Sequence, residues 1–215
     1  MTILVLDDEV QPDYRYLGPE IDRLTPDGEY HVYAEDPMTP DLDAYDGVII
    51  SGSTASVYEE GHPFIDRQHD LVTSCLDAGV PLLGICFGHQ LVNDALGGRV
   101  IEDHRRATFV EMDVTTPNDP VLDGVGRVVP VLHADVVVEP GRGMEPIATT
   151  DYNDYFCTRH ESAPIWTVQY HPEFTERVED NPSDWSRGEY DFADANATAT
   201  ITNFAAVCAR RAAAD

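Results

Sequence analysis

The stretch of sequence that most constrains the fold is GICFGHQL, residues 84–91, because it joins a strand-like run directly to a helical pattern. The preceding run VPLLGIC predicts a buried strand, and HQLVNDAL, which is followed by Gly97 and Gly98, predicts a helix. A cysteine between two glycines at such a junction fits a turn too tight for neighbouring side chains, which lifts the thiol clear of the sheet. On its own, this short pattern fits a buried cysteine in an ordinary strand-to-helix turn equally well.

Strand-like and helical segments alternate through the first half of the chain. The predicted strands are ILVLD (3–7), YHVYA (30–34) and DGVIIS (46–51), and the predicted helices include residues 18–24 and 62–79. This alternation is typical of an α/β fold with a doubly wound, mostly parallel sheet.

The pattern changes after about residue 98. The segments RVIE, TFVEMDV, RVVPVL, ADVVVE, PIATT and the run to residue 159 predict an antiparallel extension of the same sheet, and APIWTVQYH predicts a return strand. Residues 175–194 are acidic and unpatterned, which predicts a surface insertion or lid. Residues 196–213 predict a closing helix capped by Asp194 or Asn196. Because no segment has the composition of an interdomain linker, we expect residues 1–215 to form a single domain.

Charge is the dominant feature of the composition, with 40 acidic residues, 13 basic residues and a net charge of −27. Such a charge argues against nucleic acid and anionic membranes as partners, since both require a positive surface. Every basic residue is an arginine, so Schiff-base catalysis and a P-loop lysine are excluded. The dispersed acids predict the solvated surface of a halophilic, for example haloarchaeal, protein; an acidic mesophilic protein is the alternative.

The chain lacks the usual sequence signals for a membrane or export. No apolar run approaches the roughly 18 residues of a membrane helix, and the start MTILVLDDE has no basic region typical of a signal peptide. We therefore expect a cytoplasmic protein. Its four cysteines form no CxxC pair, so the sequence predicts free thiols and neither a zinc ribbon nor a thioredoxin motif; the four are Cys75, Cys86, Cys157 and Cys208. We expect no metal site and no cofactor.

A thiol nucleophile needs a base, and His171 differs from the other seven histidines in its context. It ends the apolar run WTVQY and is followed by Pro172 and Glu173. In an extended His-Pro-Glu segment the first and third side chains point the same way, so the carboxylate can orient the imidazole. The sequence therefore predicts Cys86 as nucleophile, His171 as base and Glu173 as orienting acid.

These motifs resemble those of the class I, triad-type glutamine amidotransferases, namely G-x-C-x-G-x-Q, here GICFGHQ, and a late H-P-E, here YHPEF. The segment ISGSTASVYEEG (50–61) resembles the loop after the third strand that contributes to the oxyanion hole. The segment VLHADVV (131–137) resembles an S-H-x-D loop that holds the amino-acid end of the substrate. The similarity is strongest to the amidotransferase part of GMP synthases and spans about residues 2–174.

The resemblance implies a flavodoxin-like fold and hydrolysis of the glutamine side-chain amide through a thioester on Cys86. By the same resemblance, main-chain amides of Gly52, Ser53 and Phe87 hold the oxyanion, and Gln90, His133 and Asp135 bind substrate. The chain departs from the family pattern at Ser53 and Thr54, which replace a glycine and a proline, and at Leu132, which replaces a serine.

Three functions remain open from the sequence. The resemblance favours release of ammonia to a separate ATP-dependent synthetase subunit, and residues 175–194, with Trp185 and Tyr190, are a candidate for contacting that subunit or gating the site. An acidic solubilising loop is the alternative for this segment. A cysteine γ-glutamyl hydrolase or peptidase with the same triad is the second function, and a non-catalytic regulatory protein is the third.

Overall fold

An eight-stranded mixed sheet forms the centre of the protein in the computed structural model, which describes residues 1–213. The strands of the whole structure are β1 (Ile3–Asp7), β2 (Gly28–Val32), β3 (Gly47–Ile50), β4 (Leu82–Ile85), β5 (Arg99–Glu111), β6 (Asp113–Val114), β7 (Val128–Glu139), β8 (Met144–Thr149), β9 (Cys157–His160) and β10 (Ile165–Val168). Five neighbouring strands, in the order β2-β1-β3-β4-β10, are parallel. This is the flavodoxin-like order, and the predicted fold class is confirmed.

Helices cover both faces of the parallel strands. The bounds are α1 (Leu17–Leu24), α2 (Pro63–Ala78), α3 (Phe87–Ala95) and α4 (Ala199–Ala212). Because side chains alternate along a strand, Ile3 and Val5 pack into the cluster that α1 and α4 join, whereas Leu4 and Leu6 pack towards α2 and α3. Among the described residues, none of the helices has the length and apolar character of a membrane span.

The antiparallel extension is divided between two structures. Strands β9, β8 and β6 continue the main sheet in antiparallel pairs, while β5 and β7 form a separate two-stranded ribbon. The sequence analysis was wrong to divide this ribbon: RVIE and TFVE belong to the single strand β5, and RVVPVL and ADVVVE belong to β7. A register shift between Glu102 and Arg106 lets β5 continue through a segment that does not fit strict pairing.

Several predicted element ends also differ from the structure. Helix α3 begins at Phe87 rather than at residue 89, and β10 ends at Val168 rather than at the histidine. The predicted caps of α4 were wrong, because its N-cap is Thr198, which makes no capping side-chain bond. The Asn196 side chain instead accepts from the Gly126 N–H and donates to the Gly124 carbonyl, so it anchors a loop.

The parallel arrangement brings four segments to one edge of the sheet. The carboxyl ends of β1, β3, β4 and β10 lie together, and each is followed by residues that the sequence analysis or the structure associates with chemistry. In open α/β sheets this edge is where ligands bind. The loop of residues 51–58, which follows β3 and is called the 51–58 loop below, lies at this edge.

Candidate active site

Cys86 occupies a sharp turn between β4 and α3 with a strained backbone. Its φ of 52° and ψ of −103° lie outside the conformations that a side chain normally allows. The glycines on either side permit the close approach: a Cβ at Gly84 would lie 2.4 Å from the Gly88 carbonyl oxygen, and one at Gly88 would lie 2.4 Å from that of Ile50. This geometry is that of a nucleophile elbow.

His171 and Glu173 form a buried pair beside this turn. His171 Nδ1 lies 2.7 Å from Glu173 Oε1, and both side chains are almost fully buried. An extended segment was expected from the sequence, and this expectation was wrong. The Phe174 N–H donates to the His171 carbonyl and closes a turn. The turn still brings the carboxylate to the imidazole.

The Glu173 contact determines where the imidazole carries its proton. A carboxylate accepts the Nδ1 proton, which leaves Nε2 for a reacting group. Within residues 1–213, Nε2 has no hydrogen-bond partner. Burial lowers the pKa of His171, but the charges of Cys86 and Glu173 outweigh it and raise the pKa to about 10. The His171 imidazole therefore favours its protonated form.

Three cysteines other than Cys86 belong to the hydrophobic core. Cys75, Cys157 and Cys208 are fully buried, and they are free thiols, as predicted from the sequence. Burial raises the pKa of Cys75 and of Cys208 to about 12 and raises that of Cys157 well above its ordinary value. Since the thiolate is the nucleophilic form, these three thiols are unreactive.

Main-chain amides lie next to Cys86 on two sides. The Gly52 backbone is so close that a Cβ there would lie 2.9 Å from His171 Cε1 and 3.6 Å from Cys86 Cβ. The N–H groups of Gly52 and Ser53 have no acceptor within the described part of the chain. Phe87 is the first residue of α3, so helix geometry leaves its N–H unpaired as well. Gly52 and Ser53 also line the same cavity as Cys86.

The predicted substrate-binding residues are brought together but are also bonded to one another. The Gln90 side chain donates to the Asp135 carbonyl at 3.1 Å and to Gln169 Oε1 at 3.3 Å. His133 donates from Nδ1 to the same carbonyl at 3.0 Å, which leaves Nε2 to accept from the Tyr152 hydroxyl at 3.1 Å. Burial lowers the pKa of His133 to about 3, so this imidazole is neutral.

The Asp135 carboxylate anchors the 51–58 loop. Its Oδ2 accepts from the Ser56 hydroxyl at 2.6 Å, and its Oδ1 accepts from the Tyr58 hydroxyl at 3.0 Å. Asp135 also lines the cavity beside Cys86. The sequence analysis assigned no role to Ser56 or Tyr58.

Three consecutive acids at the carboxyl end of β1 are also buried: Asp7 is the last residue of the strand, and Asp8 and Glu9 follow it. Asp7 accepts from the Tyr30 hydroxyl, Asp8 accepts from the Gln68 amide, and Glu9 contacts the 51–58 loop. Burial is the main cause that raises the pKa of each of the three carboxyls. Their position at the carboxyl end of a parallel strand could have indicated a role at the site.

A cavity of about 510 Å³ lies beside Cys86. Cys86, His171, Gly52 and Asp135 line one part of it, and Asp184 lies on another part of the wall. Arg105 donates to both carboxylate oxygens of Asp184, at 2.9 and 3.3 Å. Residues 1–213 contain no group of three or more His, Cys, Asp or Glu side chains placed to hold a metal ion.

The segment of residues 175–194 packs against the β5–β7 ribbon. The Trp185 ring centroid lies 5.2 Å from that of Phe109 and 4.4 Å from that of Phe174, and Phe192 joins the same cluster. The Tyr190 hydroxyl donates to Glu111. Both aromatic residues that the sequence analysis considered for partner contact are therefore used within the chain, and the segment contributes Pro182, Ser183 and Asp184 to the cavity wall.

Comparisons with known proteins agree on one family. The family model for glutamine amidotransferase class-I matches residues 27–182. The glutamine-hydrolyzing GMP synthase of Aquifex aeolicus is 34% identical over 134 residues, which are 61% of this chain and 25% of that protein. The corresponding enzyme of Yarrowia lipolytica is 35% identical over 155 residues, 68% of this chain and 28% of that protein. The chain thus spans about a quarter of the length of these relatives.

Solved structures share the fold over nearly the whole chain. A Thermoplasma acidophilum protein described provisionally as one of the subunits of a GMP synthase has a TM-score of 0.74 and 21% identity, covering 100% of this chain and 96% of that chain. A glutamine amidotransferase from Thermotoga maritima also has a TM-score of 0.74, with 18% identity and coverage of 98% and 97%.

Proposed function

The chain belongs to the class-I glutamine amidotransferase family, and we propose that it hydrolyses the side-chain amide of glutamine through a thioester on Cys86. The observation that carries this proposal is the strained Cys86 turn beside the buried His171–Glu173 pair. In this arrangement the Nε2 atom of His171 takes the proton of Cys86, and this makes the sulfur that lines the cavity a nucleophile.

The proposed reaction begins with attack of Cys86 Sγ on the side-chain carbonyl carbon of glutamine. The carbonyl oxygen becomes an oxyanion that accepts hydrogen bonds from the amides of Gly52, Ser53 and Phe87. His171 gives its Nε2 proton to the amide nitrogen, the carbon–nitrogen bond breaks, and ammonia leaves. The product of this half-reaction is a glutamyl thioester on Cys86.

Water completes the reaction. His171, now neutral at Nε2, takes a proton from the water as its oxygen attacks the thioester carbon, and the same amides hold the second oxyanion. The carbon–sulfur bond then breaks, glutamate leaves, and the thiolate beside the protonated imidazole is restored. Glu173 keeps its hydrogen bond to Nδ1 throughout, so it orients the ring and stabilises its charged form.

The residues that line the cavity away from Cys86 hold the amino-acid end of the substrate in this proposal. Asp135 supplies a negative charge suited to the substrate ammonium group, and Gln90 supplies an amide fixed by its own hydrogen bonds. His133 is neutral and bonded on both nitrogens, so its part is to shape the wall rather than to provide charge.

We further propose that the ammonia passes to a separate ATP-dependent synthetase, as in a GMP synthase made of two different chains. The relatives of highest identity named above are GMP synthases, of which this chain spans about a quarter. The Thermoplasma protein, which matches over nearly its whole length, is described provisionally as one component of such an enzyme. An ammonia-releasing triad is useful for synthesis when an acceptor site lies close by.

The second candidate function is hydrolysis of γ-glutamyl amides with a bulkier amine. The cavity of about 510 Å³ extends from Cys86 to Asp184 and falls within the range of drug-sized ligand sites. A γ-glutamyl dipeptide would present the same carbonyl to Cys86 and place its amine side in this space. The two functions differ in substrate and not in chemistry.

An assay of ammonia release tests the proposed function. The purified chain in molar KCl is given glutamine and, in parallel, γ-glutamyl dipeptides, with and without the synthetase part of a GMP synthase and ATP. We expect hydrolysis of glutamine that the synthetase stimulates, and its loss in Cys86→Ala but not in Cys75→Ala. Preference for dipeptides without stimulation would favour the second candidate, and full activity of Cys86→Ala would refute the thioester.

A further inference from the structure

We propose that Glu9 is a positioning residue for the oxyanion amides, which it fixes by holding Thr54 in the 51–58 loop. The catalytic consequence rests on the proposed function, whereas the anchoring itself does not. Glu9 follows β1, and it lies 45 residues from Thr54 in sequence.

The contacts between the two residues involve both carboxylate oxygens. Glu9 Oε2 accepts from the Thr54 main-chain N–H at 2.8 Å, and Oε1 accepts from the Thr54 hydroxyl at 2.5 Å. Oε1 also accepts from the Gln11 N–H at 2.8 Å, and the Gln11 amide donates to the Thr54 hydroxyl at 3.0 Å. The carboxylate thus connects the turn after β1 to the loop after β3.

Glu9 receives these hydrogen bonds from neutral donors only. No ion pair within residues 1–213 includes its carboxylate, and Arg15 donates to its main-chain oxygen instead. The residue is 7% exposed. A buried carboxylate held by several N–H and O–H donors makes charge-assisted hydrogen bonds, which are shorter and stronger than neutral ones. The loop is therefore rigidly attached at this point.

The position of the anchor links it to the oxyanion site. Thr54 directly follows Ser53, whose N–H has no acceptor within residues 1–213 and which lines the same cavity as Cys86. The far part of the loop is held separately by Asp135 through Ser56 and Tyr58. Without the Glu9 carboxylate, the middle of the stretch between Ser51 and Ser56 would keep only the Gln11 contact with the Thr54 hydroxyl, and the amides would lose their fixed direction.

The departure of this loop from the family pattern has a physical role in this scheme. A proline at position 54 would have neither the N–H nor the hydroxyl that Glu9 accepts from. Thr54 supplies both groups, so Glu9 and Thr54 form a matched pair that replaces the stiffness of a proline with two hydrogen bonds.

The first test uses two isosteric variants and one control. Glu9→Gln can accept at only one of the two oxygen positions and presents an NH₂ group to a donor at the other. Thr54→Val removes the hydroxyl and keeps the N–H. Glu60→Gln, an exposed acid of the neighbouring loop, is the matched control. Amide hydrogen exchange of residues 52–56 and of α3 is measured in each.

We expect faster exchange in residues 52–56 for Glu9→Gln, a smaller effect for Thr54→Val, and no change in α3 or in the control. The double variant should exchange less than the sum of the single effects predicts, because both changes remove one shared contact. Unchanged exchange at residues 52–56 in Glu9→Gln would overturn the anchoring, whatever the chain hydrolyses.

Kinetics test the catalytic consequence separately. In Glu9→Gln we expect kcat for glutamine to fall by about tenfold to a hundredfold, less than the loss of a whole oxyanion donor, with KM within about threefold. The rate of Cys86 alkylation by iodoacetamide should stay unchanged, because that reaction needs no oxyanion site. A normal kcat with fast loop exchange would overturn the positioning role. A wild-type chain that hydrolyses no glutamine would instead refute the proposed function, with the exchange data still deciding the anchor.

Discussion

At the scale of single residues, the proposed chemistry divides the work between His171 and Glu173. The imidazole accepts and donates the transferred proton, whereas the carboxylate only holds Nδ1 and stabilises the charged ring through their 2.7 Å contact. The two residues are adjacent in space and almost equally buried. Their removal should nevertheless have unequal effects, since only one of them exchanges a proton with the substrate.

We expect His171→Ala to lower turnover by about 10⁴-fold or more and Glu173→Ala to lower it by roughly a hundredfold less. Glutamine hydrolysis by the two variants and by Glu176→Ala, an exposed acid of the same segment, provides the comparison. The Glu176 variant should keep wild-type turnover. Losses that are small in both the His171 and Glu173 variants would contradict the triad.

The residues of the site differ in how visible they are in the sequence. Cys86, His171 and Glu173 belong to short motifs whose spacing itself suggests a role, so the sequence could predict that they lie together. Glu9 could not, because its function depends on a contact with Thr54 across 45 residues. Asp135 was predicted to face substrate, but its bonds to the 51–58 loop arise from pairings 77 and 79 residues apart that only the folded chain creates.

At the scale of elements, the strand-turn-helix unit formed by β4, Cys86 and α3 has no room for added volume. A Cβ at Gly84 would lie 2.4 Å from the Gly88 carbonyl oxygen and 2.6 Å from its carbon. Both atoms belong to the backbone, so neither can move without displacing the first turn of α3. The turn that presents the Cys86 thiol therefore depends on the close contact between Gly84 and the Gly88 carbonyl.

We expect Gly84→Ala to lower the stability by about 1–3 kcal/mol and to reduce turnover strongly, because it displaces Cys86. Gly97→Ala is a suitable control: its φ of +85° makes the change unfavourable, but a Cβ there meets no atom within 4 Å. The control should lose stability and keep its activity. Thermal unfolding and glutamine turnover of both variants decide the matter, and normal turnover in Gly84→Ala would count against the elbow.

The parallel part of the fold could be predicted from sequence, and the β5–β7 ribbon could not. Apart from the edge strand β2, each parallel strand is a short, buried apolar run bounded by turn residues, so its sequence pattern matches its environment in the sheet. In β5 the polar stretch DHR interrupts the apolar pattern, yet a register shift and the aromatic cluster around Trp185 keep the strand continuous. The aromatic contacts come from residues 175–194, which have no periodic pattern of their own.

At the scale of the whole molecule, the net charge of −27 affects the stability of the fold. Many arginines are paired with surface acids; Arg187, for example, contacts Glu179 and Asp191, and Arg127 contacts Glu111 and Asp113. Exposed pairs of this kind contribute little stability individually. Since acids outnumber arginines by 27, the remaining negative charges repel one another across the surface.

This repulsion makes stability dependent on salt. Ions screen charges over about 10 Å at 0.1 M and about 3 Å at 1 M, so molar KCl should remove most of the long-range term. We expect the thermal midpoint to rise by about 10 °C between dilute buffer and molar KCl, which for a chain of this size corresponds to roughly 3–5 kcal/mol.

A variant with five exposed acids changed to amides should have a higher midpoint in dilute buffer and a weaker salt response; the five are Asp13, Glu60, Glu102, Asp151 and Glu161. The thermal midpoint is also measured in an equally concentrated sugar solution. A sugar carries no charge, so it cannot screen the acids, and it acts only because it is excluded from the protein surface. A midpoint that does not change with KCl, or a salt response equal in the two proteins, would rule out charge repulsion as the cause and with it the argument for a halophilic protein.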